Sequence, residues 1–488
     1  MNSIKMASDA GPTGWKKVLD YRDIRFWLVL LFVMRLYAIY LPPLEHQHPW
    51  RQTDGLMIAR NFFERDANIL YPRVDIAGDK TGITGSEFPL LNYLIYLVST
   101  LFGYQHWYGR LIVLIVSTLG SYFFYRTIRM YYSESVAFSS TILLTASYWF
   151  SYSRKIFPDC LSAALCLMAL YLALTYLEKG KPHHILLYMA LGALGGLSKI
   201  SSLLLLSVLI IPMCARHFPL ERKGWVAATS GGILICVGWW YLIWMPYLNT
   251  FGYGNHFTTG CPLFNMGWEE IRANFTAILR RLYFLPMKYL GFVAFAASLI
   301  YVLYKKQWIV FALFIIPYAC FLIVLLKTGK SIVIDQYYIL TVIPVMAFIS
   351  GFGLGQIPIK WVMWLVVFAI AVENIGDQVY DFRVHKMFAP YADLESIVDR
   401  FSDRQDLFVI NSAPHNPTPM YFAHRRGWTV SPAEIQNPSF LADLKSKNCK
   451  FVLVCKEIYH ENFDVRLDLP QLYESEHFRI YALGDYKK

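Results

Sequence analysis

Charge is scarce in this chain. Only 16% of its 488 residues are Asp, Glu, Lys or Arg and 56% are hydrophobic, whereas an ordinary soluble domain carries about a quarter charged residues. That deficit excludes a soluble globule of this length. Cysteine is sparse too, eight in all. Cys160, Cys166, Cys214, Cys236 and Cys320 fall in apolar runs. Cys449 and Cys455 flank the strand-like KFVLV, which would hold them about 20 Å apart, too far for a disulfide. No CxxC pair occurs, so neither a disulfide framework nor a cysteine metal site is expected. No Gly-rich phosphate loop appears in the tail that follows the apolar runs. Residues 1–23 are mostly polar and no small-residue cleavage site follows the first apolar run, so no cleavable leader is expected. There is no internal repeat.

The net charge of +11 does not point to nucleic acid. The basic residues form no patch; they sit in short loops between apolar runs, where they set membrane orientation. Those runs, roughly 16–22 residues each, match a hydrocarbon core about 30 Å thick. The sequence predicts an α-helical polytopic membrane protein with a small C-terminal α/β soluble domain. Spans are expected near 24–42, 107–125, 134–150, 158–177, 184–198, 200–215, 224–246, 287–304, 308–326, 336–354 and 358–374, about eleven transmembrane helices in total. Segment 88–103 is read as lying along the membrane. Crossing would put Arg126 and Arg129 outside; lying flat puts them, and later Lys179, Lys181, Arg216, Arg222, Lys305, Lys306 and Lys360, on one inner side. On this reading residues 1–23 are cytoplasmic, 24–374 form the membrane domain with an outer loop at 45–106, 375–388 is a linker, and 389–488 is an outer α/β domain. There ESIVDRF, PTPMYFAHRR and PSFLADLKSKN read as helices, and DLFVINS, KFVLV and HFRIYAL as strands of a mixed sheet.

The stretch that begins EHQHPWRQTDGL at Glu45 and ends at Glu87 concentrates charge, aromatics, Gly and Pro between two apolar segments. Within it TDGLMIARNFFE, residues 53–64, suggests an amphipathic helix on the membrane surface. Asp54 opens that helix. A helix cap is the plain explanation for an Asp there; beside Arg51, His46 and His48, a carboxylate able to deprotonate an acceptor hydroxyl or amine is the chemical one. Glu87 precedes Phe-Pro-Leu-Leu and Asp159 opens a span, so both are cap candidates as well. An ionisable group at membrane depth is a functional suspect by default, however. Lys199 ends GALGGLSK between two apolar runs and needs either snorkelling or an anion, for which a lipid phosphate is fitting. Arg110, three residues into its span, poses the same question. Tyr337 and Tyr338 follow Asp335-Gln on the outer side.

These motifs and their order resemble the multispanning lipid-phosphate-sugar glycosyltransferases of the GT-C class, in the protein O-mannosyltransferase and aminoarabinose-transferase branch. The resemblance covers about 24–360. It rests on Asp54 early in the first outer loop, Glu87-x-Pro-Leu opening a helix that ends Leu-Phe-Gly103, and Gly109-Arg110-Leu111. Arg154…Pro158-Asp159, Gly196-Leu-Ser-Lys199, and Gln336-Tyr-Tyr-Ile-Leu…Pro344 continue it. It implies a polyprenyl-phosphate-linked sugar donor with no nucleotide sugar or nucleotide cofactor, a glycan, lipid or protein acceptor, and inverting transfer on the non-cytoplasmic face of a lipid bilayer, as in a bacterial inner (plasma) membrane. It further implies Asp54 as base, with Glu87 and Asp159 beside it in the catalytic set, and Lys199 on the lipid phosphate, with Arg110, Arg51, Tyr337 and Tyr338 as further substrate contacts. A divalent metal ion held by Glu87, Asp159 and His256 is carried over from the same likeness. Where the aminoarabinose branch has Glu-Lys-Pro-Pro, this chain has Glu87-Phe88-Pro89-Leu90, so that lysine's donor contact is not carried over. A transporter or flippase would instead show inverted repeats with broken helices in matching halves, and no such halves are visible. A polymerase or ligase using diphosphate-linked glycans, and an inactive scaffold presenting the outer domain, are the remaining rivals.

Overall fold

The computed structural model describes residues 20–251, 253, 268–328, 331–412, 416–458 and 461–485. The first helices in chain order are α1 (Ile24–Leu36), α2 (Pro49–Glu64), α3 (Leu90–Phe102), α4 (Trp107–Tyr131), α5 (Glu134–Ala146), α6 (Trp149–Tyr152), α7 (Pro158–Lys179) and α8 (Pro182–Ser198). Packing divides the chain into two units that ignore chain order. One gathers Met1–Ile39, Arg110–Trp240 and Thr259–Tyr380; the other gathers Tyr40–Gly109, Tyr241–Thr258 and Asp381–Lys488.

The first unit is a helical bundle built on α7. This helix is apolar all round, and 94% of its most apolar window is buried, as expected of a helix enclosed by neighbours. Among the described residues five helices are long and apolar enough to cross a membrane: Trp107–Tyr131, Pro158–Lys179, Leu220–Phe251, Trp308–Thr328 and Lys360–Phe382. A sixth arises if Phe275–Phe284 and Lys288–Tyr304, bent by 88° at their junction, are counted as one span. The other expected spans fall on shorter or broken helices. Close packing relies on small residues: a Cβ at Gly120 of α4 would lie 2.5 Å from the Cβ of Ala164 on α7. After α8 the chain pauses at Lys199 in extended backbone and resumes as a ten-residue 3-10 helix, Ile200–Leu209. Runs of 3-10 longer than three or four residues are uncommon, and within a helix they often mark a functional hinge or a strained sequence. The far ends of α4, α7 and the 200–215 segment enclose an apolar cavity of about 450 Å³, lined among others by Phe124, Ile128, Leu167, Leu174, Leu205 and Phe348.

The second unit holds a five-stranded mixed sheet built from β1 (Leu407–Asn411), β2 (Arg426–Val430), β3 (Cys449–Cys455), β6 (Gln471–Glu474) and β7 (Phe478–Ala482), with β4 (Glu457–Ile458) and β5 (Glu461–Asn462) as a separate antiparallel pair. The order is β2-β1-β3-β7-β6. Strand β1 runs parallel to both β2 and β3, with Ile410 opposite Thr429 and Leu453, and β7 runs antiparallel to β3. The near-continuous apolar runs FVI and FVLV fit strands covered on both faces. The loop after α2 protects the β2 edge: Gly427 N donates to Asp75 O at 2.9 Å and Gly78 N to Gly427 O at 2.7 Å. Gly427 has φ +149° and lies so close to Phe408 that a Cβ would meet its carbonyl oxygen at 1.7 Å, so only glycine fits this register.

Two expectations about the first loop change. Helix α2 starts at Pro49, with His48 as its N-cap in left-handed backbone, rather than at Thr53. Proline is pre-organised for the first helical position, so the helix gains a full turn before Asp54. It is also buried nearly all round, from Arg51 to Asn61 with only Gly55 half-exposed, rather than presenting one apolar face. Helix α3 has 13 residues, about 20 Å, which falls short of a hydrocarbon core of about 30 Å.

Candidate active site

In the second unit the site is built on α2. Asp54 sits in the helix interior, 1% exposed, so the capping explanation fails: an N-cap satisfies orphan N–H groups at the helix start, and Asp54 lies beyond that start. A buried carboxylate needs a cation or hydrogen bonds. Arg51, one turn earlier, places Nη1 3.7 Å from Asp54 Oδ2, while its Nη2 donates to Glu87 Oε1 at 2.6 Å. One guanidinium thus bridges the two predicted carboxylates. Glu87 is no cap either, since α3 begins at Leu90 with no side-chain cap bond. Around them Gln52 donates to Glu45 at 2.6 Å and Asn92 to the carbonyl of Gly55 at 2.6 Å. Gly85 N donates to Asn249 Oδ1 at 2.8 Å, which ties the Glu87 loop to the Tyr241–Thr258 segment. Burial pushes the Tyr253 hydroxyl pKa upward, and the negative charge of Asp54 pushes it further the same way.

The C-terminal half of α2 is held by polar contacts. Arg60 stays charged although fully buried: burial opposes its charge, but Asp75 at 3.1 Å and the neighbouring tyrosines more than compensate. Its guanidinium also lies 4.5 Å over the Tyr421 ring. Burial lifts Tyr421 to about 12, so its hydroxyl remains a neutral donor. At the helix end His424 contacts Glu64 at 3.0 Å and Glu395 at 3.1 Å. Burial works against protonated His424, yet these two hydrogen bonds outweigh it and raise its pKa. The His424 bond is also the main cause holding Glu395 down to about 2.

In the first unit Lys199 is the centre. Ser162 Oγ on α7 donates to the carbonyls of Gly195 at 2.6 Å and Lys199 at 3.2 Å, pinning the end of α8 beside the start of α7. Lys199 Nζ then lies 3.7 Å from Asp159 Oδ1 and 5.4 and 5.1 Å from the ring centres of Tyr337 and Tyr338. Four predicted residues therefore meet at one point. Non-helical backbone within a bundle is tolerated where it is buried or lines a cavity, and the break at Lys199 turns its ammonium onto this cluster. Arg110 donates to Ile39 O at 3.0 Å, and Arg154 to Tyr37 O at 2.7 Å and Ala38 O at 3.1 Å. Both arginines thus reach the carbonyls following α1, a favourable place for positive charge.

No group of three or more His, Cys, Asp or Glu among the described residues is arranged to hold an ion. Glu87 and Asp159 each face a basic side chain, which disfavours a dication beside them. His256 lies outside the described residues. Sequence reasoning missed the Thr53–Thr418 contact, Tyr253, and Lys155, which is 1% exposed with its ammonium 4.6 Å over the Tyr152 ring. A second cation next to Arg154 at the start of an apolar span was the available signal for Lys155; nothing local marks Thr418.

Residues 86–242 match the family described as dolichyl-phosphate-mannose-protein mannosyltransferase. No curated protein sequence matches the chain. Among solved structures, ArnT from Cupriavidus metallidurans in the apo state is similar with TM-score 0.59 and 13% identity, over 94% of this chain and 98% of that one. The oligosaccharyltransferase of Archaeoglobus fulgidus, in complex with Zn and sulfate, gives TM-score 0.58 at 13% identity over 89% of this chain and 68% of that one. The arabinofuranosyltransferase AftD from Mycobacteria gives 0.55 at 12% identity over 94% and 40%. At these identities the likeness is one of fold, and that fold is shared by glycosyltransferases.

Proposed function

We propose that this GT-C glycosyltransferase moves a sugar from a polyprenyl-phosphate donor to a hydroxyl or amine of a glycan, lipid or protein acceptor, with inversion at the anomeric carbon. The observation that carries the reading is the Asp54–Arg51–Glu87 group on the first long loop, in which Asp54 and Arg51 are buried and Glu87 half-buried. Two likenesses support the donor class: ArnT from Cupriavidus metallidurans has been crystallised bound to undecaprenyl phosphate, and the archaeal oligosaccharyltransferase AglB is known in complex with an inhibitory peptide and a dolichol-phosphate.

The reaction needs a base, a grip on the leaving phosphate, and exclusion of water. Asp54 accepts the acceptor's proton as its oxygen or nitrogen attacks the anomeric carbon. The bond from that carbon to the phosphate oxygen breaks, and its electron pair leaves with polyprenyl phosphate. One displacement inverts the centre. Arg51 orients Asp54 and holds Glu87. Lys199, flanked by Tyr337 and Tyr338, meets the negative charge that grows on the phosphate, an interaction stronger in the transition state than before it. No step is routed through a metal. We further propose a topology of about eleven spans in a bacterial inner membrane, with the N-terminus cytoplasmic and the C-terminal domain outside; the short helices α1, α5 and α8 would complete spans with their neighbours.

The test is Asp54→Asn. General-base assistance is worth roughly 10²–10⁴ in rate, so transfer should fall by about that factor in cells where mass spectrometry of glycoconjugates reports the product. The lipid-linked donor should accumulate. Wild-type product levels at equal protein abundance would reject the assignment.

A further inference from the structure

We infer that the Thr418–Ala423 helix sets the pose of Asp54, and that Thr418 and Tyr421 are positioning residues for the transfer reaction. The inference rests on Asp54 being the base.

Residues 53, 56, 60 and 64 recur at intervals of three and four, so they line one face of α2. Each is engaged by the segment 418–424 or through a side chain bound to it. Thr53 Oγ1 lies 3.1 Å from Thr418 Oγ1. The Tyr104 hydroxyl donates to Leu56 O at 3.0 Å and lies 2.8 Å from the Tyr421 hydroxyl, which His106 Nδ1 meets at 2.9 Å. Arg60 donates to Tyr421 O at 2.9 Å and stacks over its ring. Glu64 meets His424. A helix without a clean apolar stripe is held here by a row of polar contacts, one on nearly every turn. Such contacts are directional where apolar packing is not, and buried polar networks fix one geometry when every member is satisfied. The first contact is the residue next to Asp54, and both threonines are buried. A shift of about 1 Å in a reacting group can cost on the order of 100-fold in rate, so register along this face matters to catalysis.

The experiment uses the full chain in detergent or nanodiscs. Hydrogen exchange is followed by mass spectrometry in Thr418→Val, Thr418→Ser, Tyr421→Phe and the Thr418→Val/Tyr421→Phe double variant. Losing a buried hydrogen bond at α2 should speed exchange of amides 53–64 about tenfold in the double variant, with β1 and β3 unchanged. Thr418→Ser, which keeps the hydroxyl, should restore protection. In cells the Thr418→Val variant should make about tenfold less product, while affinity of the purified protein for undecaprenyl phosphate stays at the wild-type value. Exchange in α2 within twofold of wild type would overturn the inference, as would equal acceleration across the sheet, which means general loosening. Should Asp54→Asn keep full transfer, the base assignment falls, whatever the exchange data show; the two failures are therefore distinguishable.

Discussion

Arg51 is the most exacting test of the electrostatics. It is 6% exposed and stands between two carboxylates, at 2.6 Å from Glu87 and 3.7 Å from Asp54. With an effective dielectric near 20, a pair of unit charges at about 4 Å gains about 4 kcal/mol before desolvation. Breaking a buried pair by deleting one partner costs about 3–5 kcal/mol, because the other charge is left behind. Arg51→Met should therefore lower the thermal midpoint of the purified protein, read by intrinsic tryptophan fluorescence, by roughly 6–12 °C for a loss of about 3 kcal/mol in a unit of this size. Adding Glu87→Gln removes one of the two carboxylates that Arg51 served and should return part of the shift, since a charge-balanced deletion is far cheaper than a one-sided one. The double variant should still transfer poorly, because Asp54 has lost its orienting partner. A midpoint for Arg51→Met within about 1 °C of wild type would refute the reasoning, and so would a double variant less stable than the single one.

The same logic applies to Lys199 and Asp159, where Asp159 has no exposure. Lys199→Met should destabilise, and Lys199→Met/Asp159→Asn should recover the midpoint yet bind undecaprenyl phosphate at least tenfold more weakly in titration; retained affinity would remove Lys199 from the phosphate site. The His424 clamp gives a pH dependence. His424 has a raised pKa in the fold, so its contribution is complete below its unfolded value near 6.5 and fades as pH rises through the folded one. Glu395, held down to about 2, contributes above its unfolded value near 4.3 and fades only in acid. The clamp is then strongest between about pH 4.5 and 6.5, and because these groups are partly exposed it is worth less than about 1 kcal/mol. The midpoint at pH 6 should exceed that at pH 9 by no more than about 2–4 °C, with His424→Gln abolishing the clamp's share; the same pH difference in the variant would assign it elsewhere.

Much of the candidate site was legible because charge inside an apolar chain is costly and therefore conspicuous. Lys199 between two apolar runs and Asp159 at the mouth of a third stood out for that reason, and they meet. The loop carrying Asp54 and Glu87 stood out by its density of charge. What the chain order hid was their bridging: Arg51 reaches Glu87 across 36 positions, and no periodicity encodes that. The helix start at Pro49 was missed because Asp54 makes a good cap in isolation, and local propensity is a weak prior beside tertiary context.

The pattern of apolar runs and scattered basic loops determined, without coordinates, a helical membrane-type chain with a small mixed-sheet tail, because hydrocarbon thickness and buried backbone leave few ways to arrange such a sequence. Which distant stretches fold together was decided only in three dimensions. The first loop and the C-terminal sheet share one unit because the edge of β2 needs hydrogen-bond partners and α2 needs satisfied polar neighbours, and residues more than 300 positions away supply them.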